Sequence, residues 1–189
     1  MKKALIAFIF LFLSNTAFAE ENPRIHIETT MGNIELELYP SKAPITVKNF
    51  LRYINEGHFT DTIFHRVIKN FMIQGGGFSK TYNRKPSHKP IQNEAFNGLR
   101  NDRGTIAMAR TSMPHSATAQ FFINTGNNLS LNFTSQTSRG WGYTVFGKVI
   151  AGMKTVDSIE NMRTGPGGVF PTDVPQTQVV ITKIEVIKK

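Results

Sequence analysis

Phe64-His65-Arg66-Val67-Ile68, followed after Lys69-Asn70 by Phe71-Met72-Ile73-Gln74-Gly75-Gly76, is the stretch on which the fold turns. Thr62 to Ile68 and Phe71 to Gln74 both read as short strands, rich in β-branched and aromatic residues. The first sets His65 and Arg66 inside an otherwise apolar run. The second puts two large soft side chains, Phe71 and Met72, beside the amide of Gln74, and Gln120-Phe121-Phe122-Ile123 repeats that pairing. Taken singly these residues are ordinary: Phe71, Met72 and Phe122 suit a core, and Arg66 suits the surface of a strand.

Working outward, strand patterns dominate. Arg24 to Thr29 and Asn33 to Leu38 flank a Thr30-Met31-Gly32 turn, and Ile34, Leu36 and Leu38 alternate with Glu35 and Glu37 as in a half-buried strand. Thr105 to Ala109, Phe121 to Asn124, Thr144 to Ile150 and Val179 to Ile187 complete the set. In the last of these, Val180, Thr182, Ile184 and Val186 are expected on one face and Lys183 and Glu185 on the other. Two segments read as helices. Ala43 to Glu56 has Pro44 in its first turn, Gly57 as a stop, and Val47, Phe50, Leu51 and Ile54 as an apolar stripe. Met153 to Asn161 is shorter and turns Val156 and Ile159 inward. The pattern is a mainly β domain, either a closed antiparallel barrel capped by two helices or a sandwich with two helices.

The N-terminus carries a different signal. Met1-Lys2-Lys3 is a short positive region, Ala4 to Leu13 is apolar and uncharged, and Ala17-Phe18-Ala19 places small residues where a signal peptidase reads them. The apolar run is too short to span a bilayer, and no later stretch is long and apolar enough to do so. Residues 1–19 are therefore expected to be a cleaved signal peptide, and residues 20–189 a single domain without repeats or linkers.

The formal charge is +9, of which Lys2 and Lys3 contribute two, leaving +7 for residues 20–189. The basic side chains are dispersed, and the densest stretch, Lys80 to Lys89, reads as a solvated loop. No nucleic-acid or membrane partner is expected. The chain has no cysteine, which excludes thiol catalysis and thiolate metal sites. Its five histidines lack metal-ligand spacing, and there is no nucleophile elbow, Walker loop or dinucleotide fingerprint. Gly75-Gly76-Gly77 is better explained by turn geometry than by phosphate binding.

With four blocks in register, the sequence resembles the cyclophilins. They are Phe64 to Gly76, Arg103-Gly104-Thr105-Ile106-Ala107-Met108-Ala109-Arg110, Ser116-Ala117-Thr118-Ala119-Gln120-Phe121-Phe122-Ile123-Asn124, and Gly140 to Val149, the last like the family's bacterial branch. The resemblance implies an eight-stranded closed antiparallel β-barrel with a helix at each end and a proline-binding groove on its outer face. It implies peptidyl-prolyl cis/trans isomerase activity on proline-containing polypeptides, with no cofactor and no metal. By resemblance, Arg66 is catalytic and is braced by Gln74. Phe71, Met72, Phe122 and Leu131 form the apolar proline pocket, His65 and Gln120 support it, and Ala109, Arg110 and Thr111 hold the substrate backbone. Tyr143 stands where many members have an active-site histidine. Ser130 stands where many have a cyclosporin-binding tryptophan, and Trp141 lies too far along to replace it, so weak cyclosporin binding is expected.

The alternative function is a proline-segment-binding chaperone module without essential turnover. The signal peptide and the absence of a lumenal retention tetrapeptide at Val186-Ile187-Lys188-Lys189 point to a periplasmic monomer acting on unfolded exported proteins. Asn128-Leu129-Ser130 and Asn132-Phe133-Thr134 would be glycosylation acceptors in an endoplasmic reticulum, which also favours the periplasm; release outside the cell is a further option.

Overall fold

The computed structural model describes residues 22–188, so the expected signal peptide and its cleavage site lie outside the described residues. In chain order the elements are β1 (Arg24–Thr29), β2 (Gly32–Leu38), α1 (Pro44–Asn55), β3 (Thr62–Ile63), β4 (Arg66–Ile68), β5 (Met72–Gly75), β6 (Thr105–Met108), β7 (Phe121–Asn124), β8 (Val145–Ala151), α2 (Met153–Glu160), β9 (Thr164–Gly167), β10 (Phe170–Pro175) and β11 (Val180–Lys188). Single 3-10 turns occupy Ala95–Asn97 and Leu129–Leu131.

Among the described residues nine strand segments form one sheet in the order β3-β11-β1-β2-β8-β6-β7-β5-β4, with every pairing antiparallel. The two segments at its ends, β3 and β4, are separated in the chain only by Phe64-His65, so the sheet curls round until its edges meet in one stretch of backbone. The Phe64 amide donates to the Val179 carbonyl at 3.0 Å, carrying the β11 side of the ladder past the end of β3. Thr62 to Ile68, expected as one strand, is thus one strand broken at its centre, and counting it once gives an eight-stranded circuit. Closure removes the open edges of a sheet of this length.

The interior is aromatic. Phe50 of α1 packs on Phe59 at 5.0 Å, on Phe146 at 5.1 Å and edge-on to Phe121 at 5.6 Å. Helix α1 closes one end of the barrel, burying Val47, Phe50 and Ile54 as its periodicity predicts, and Tyr53 as well. Leu51 is only half-buried against the core. Its N-terminus has no side-chain cap of its own. Instead Glu94, distant in sequence, accepts from the Thr46 amide at 2.8 Å, the Thr46 hydroxyl at 2.7 Å and the Ile45 amide at 3.1 Å. A carboxylate there satisfies orphan amides and meets the positive end of the helix. Helix α2 buries Val156 and Ile159 against the other end.

Two expectations are corrected. In β11 the buried residues are Val180, Ile181 and Ile184, while Thr182 is exposed. The register with β1 slips between Glu28↔Lys183 and Thr29↔Ile181, so Thr182 is the extra residue of a bulge and the alternation changes phase there. The second is an addition to the expected strand set: β9 and β10 form a separate two-stranded hairpin over Thr164–Pro175.

Candidate active site on the outer face of the barrel

Alternation along the strands sorts the side chains between core and site. Val67, Ile73, Ile106, Phe121, Ile123 and Phe146 point into the main core. Their neighbours face outward, where Met72, Ala107, Phe122 and Val145 form a second apolar cluster joined by Phe71, Leu131 and Tyr143. Register lines these up across the sheet: Arg66 pairs with Gln74, Gln74 with Phe122, Phe122 with Ala107, and Ala107 with Val145. One transverse row therefore runs from a cation through an amide onto an apolar floor.

Over this row lies a groove of about 370 Å³. All the residues singled out from the sequence line it except Thr111: His65, Arg66, Phe71, Met72, Gln74, Ala109, Arg110, Gln120, Phe122, Leu131 and Tyr143. Thr111 sits on the exposed loop beyond, its amide and hydroxyl donating to the Ser116 hydroxyl at 3.0 and 2.8 Å. Phe78 and Phe170 complete the lining and were not expected. Phe170 belongs to the β9–β10 hairpin, for which Gly165-Pro166-Gly167-Gly168 was the available turn signal.

The floor is held rigidly. Phe71 follows the tight β4–β5 turn, where the Asn70 amide donates to Glu160 Oε1 of α2 at 2.6 Å. The Phe71 carbonyl accepts from the Thr125 amide at 3.0 Å and from Asn128 Nδ2 at 2.7 Å. Leu131 is fixed through a buried network of asparagines. Asn101 Nδ2 donates to the Leu131 carbonyl at 3.1 Å, Asn124 Nδ2 donates to Asn101 Oδ1 at 3.2 Å, and Asn128 Nδ2 to Asn124 Oδ1 at 2.6 Å. A satisfied network of this kind specifies one loop position. Tyr143 is edge-on to Phe122 at 5.7 Å and lies under the Arg110 guanidinium at 4.6 Å. Ser130 is exposed, and Trp141 packs with Phe96, Phe133 and His115 outside the groove lining.

The polar end departs from expectation at Arg66. Gln74 is its partner in register, yet the Gln74 amide donates to Gln120 Oε1 at 3.0 Å, and among the described residues no hydrogen bond joins Gln74 to Arg66. Arg66 Nε instead lies 3.6 Å from Asp173 Oδ2 of β10, because a carboxylate attracts the guanidinium more strongly than a neutral amide does. Gln120 lies against the Gly77 backbone: a Cβ there would overlap its side chain and displace it.

His65 is 3 % exposed, with Phe78 at 4.7 Å and Phe170 at 5.2 Å from its ring, and its Nδ1 has no hydrogen-bond partner. Burial pushes its pKa down to about 4; the Ile63 backbone opposes this, the Arg66 charge adds to it by less, and the Gln120 side chain opposes it least. At that value it is neutral at pH 7, packed between Phe78 and Phe170. Among the described residues no group of three or more His, Asp or Glu side chains could hold a metal. The groove thus offers an apolar seat with Arg66 at one side and Arg110, stacked on Tyr143, at another.

Comparison with known proteins agrees. Residues 24–186 match the family model for cyclophilin type peptidyl-prolyl cis-trans isomerases. Peptidyl-prolyl cis-trans isomerase cyp18 of Streptomyces antibioticus is 53 % identical over 163 residues, 86 % of this chain and 98 % of that protein. Peptidyl-prolyl cis-trans isomerase A of Dickeya dadantii is 47 % identical over 194 residues, covering the whole of both. The crystal structure of a cyclophilin type isomerase of Cryptosporidium parvum, in the presence of the dipeptide Ala-Pro, superposes with a TM-score of 0.70 at 30 % identity, covering 88 % of this chain and 99 % of that one. The matched residues include every strand from β1 to β10, both helices, most of β11 and the whole groove, and on these grounds the chain belongs to the cyclophilin-type peptidyl-prolyl cis-trans isomerase family.

Proposed function

We propose that this isomerase acts on X-Pro bonds of unfolded exported polypeptides, with Arg66 as the catalytic donor. Rotation about an X-Pro bond is slow because amide resonance gives the C–N bond double-bond character, with a barrier of roughly 18–20 kcal/mol. In the twisted transition state the proline nitrogen becomes pyramidal and regains its lone pair. A guanidinium that donates to that nitrogen binds the twisted form better than the planar one, which lowers the barrier without proton transfer or a covalent step. Each ~1.4 kcal/mol of preference is worth about tenfold in rate. Phe71, Met72, Phe122 and Leu131 hold the proline ring while the preceding residue turns, and Ala109, Arg110 and Thr111 run beside the substrate backbone. The observation that carries this assignment is the single row that sets Arg66 and Gln74 against the apolar floor.

Residues 1–19 direct export and are removed, and the domain works as a periplasmic monomer. Asn128 supports that compartment: its side chain is buried and spent on Phe71 and Asn124, so a glycan there would break the floor of the groove. Cyclosporin binds weakly, since no tryptophan lines the groove. The test is exchange spectroscopy on a proline peptide with residues 20–189, wild type against Arg66→Ala. Wild type is expected to accelerate exchange and Arg66→Ala to lose about a hundredfold or more, the scale of removing one transition-state donor. Equal, near-zero acceleration by both would favour a binding module instead.

A further inference from the structure

The β9–β10 hairpin lies outside the barrel circuit, yet two of its residues reach the site. Phe170 packs on His65 and edge-on to Phe78 at 4.9 Å, and Asp173 pairs with Arg66. The hairpin's register explains how. Phe170 pairs with Gly167 and Val174 with Gly165, so β10 has three residues, Pro171 to Asp173, opposite the single Pro166. The excess bulges, and Asp173 takes a left-handed backbone with φ 65°, a conformation that aspartate tolerates better than most residues but that still carries a cost. The bulge is anchored on both sides, by Val174 buried at 1 % exposure and by Gln176 Nε2 donating to the Pro166 and Val174 carbonyls at 3.2 Å each. Of the two arginines that line the groove, Arg110 is spent on the Gly142 and Thr111 carbonyls, and the strained, anchored bulge delivers its carboxylate to the other, Arg66.

We propose that Asp173 is a positioning residue for Arg66. Resting on the role of Arg66 given above, Asp173 takes the Nε edge of the guanidinium and leaves its terminal nitrogens for the substrate. Arginine's rigid fork makes that division possible, whereas a lysine would have a single point of attachment to share. Gln74 gives an Nε2–H to Gln120 and makes no hydrogen bond to Arg66 among the described residues, so the ionic partner of Arg66 comes from the hairpin.

Asp173→Asn tests this, since asparagine keeps the size and the tolerance for a left-handed backbone while removing the charge. Expected is a kcat about fivefold to tenfold lower, with KM and the urea midpoint unchanged, because a partly exposed ion pair contributes little stability but a displaced donor costs rate. In an Arg66→Ala background the same change is expected to have no further effect on kcat. A wild-type kcat for Asp173→Asn, or an added loss in the Arg66→Ala background, overturns the proposal. Should Asp173→Asn fold poorly, the wild-type chain still decides: the Arg66 Nε–H is expected to exchange with water more slowly than that of the exposed Arg84, and equal rates overturn it. If Arg66→Ala is itself as fast as wild type, the role of Arg66 fails; if only Asp173→Asn is, the failure is confined to Asp173.

Discussion

A neutral histidine wedged between two phenylalanines should make the stability of this protein fall with acid in a way that can be assigned to one residue. The ordinary pKa of 6.5 applies to His65 in the unfolded chain, and burial lowers it to about 4 in the folded one. Above pH 6.5 neither state binds the proton and the stability is full. Between 6.5 and about 4 only the unfolded chain binds it, so stability falls by up to about 1.4 kcal/mol per pH unit; below 4 both states bind it and the loss levels off. The difference of about 2.5 units amounts to roughly 3 kcal/mol, a large share of the 5–15 kcal/mol that holds a domain together. His58 is also lowered by burial, so the effect must be isolated by difference. His65→Phe keeps a ring between Phe78 and Phe170 but cannot titrate. Urea unfolding of both proteins at pH 7.5, 6, 5 and 4 is expected to show wild type losing about 3 kcal/mol more than the variant across the range. Parallel curves, or a His65 titration in the folded protein near pH 6.5, would mean that burial does not hold this ring neutral.

Three further outcomes are expected. Glu94→Gln weakens the distant cap of α1 and should cost about 1–3 kcal/mol in urea unfolding with kcat/KM unchanged, since Glu94 is not among the groove's lining residues. Gly77→Ala should push Gln120 out of place, lowering kcat/KM and costing about 1–3 kcal/mol; adding Gln120→Ala should restore the stability but not the activity. Phe122→Ala should cost about 3–5 kcal/mol and raise KM on a proline peptide, whereas Ile123→Val, one residue along and facing inward, should cost about 0.5–1.5 kcal/mol and leave KM alone.

Much of the barrel is legible in sequence because one face of each strand is buried, so alternation at Ile34, Leu36 and Leu38 reports directly on side. Legibility fails where local rules are broken. The bulge at Thr182 inverts the alternation of β11 halfway along, and no residue type marks it. The β9–β10 hairpin is built from Gly165, Pro166, Gly167, Pro171 and Pro175, which carry no periodicity at all. Most of the groove was readable only through resemblance, since an outward-facing Phe122 and an inward-facing Phe121 look alike in a run of apolar residues. The charged partners were not readable by either route. Glu94 meets Thr46, and Asp173 meets Arg66, only because the chain has already folded.

The seam at Phe64-His65 has a consequence for how this protein comes into being. The barrel circuit is completed by β11, which pairs with β1 on one side and with β3 on the other, joining Ile63 to Val180 and Arg24 to Lys188. Those partners are far apart along the chain, and β11 is the last of the barrel strands in chain order. A polypeptide emerging N-terminus first can assemble the β1–β2 and β4–β5 hairpins early, but cannot shut the ring until its C-terminal strand arrives. The strand that waits, Thr62 to Ile68, is the one that bears Arg66. The isomerase groove is thus complete only once the last strand of the ring is in place.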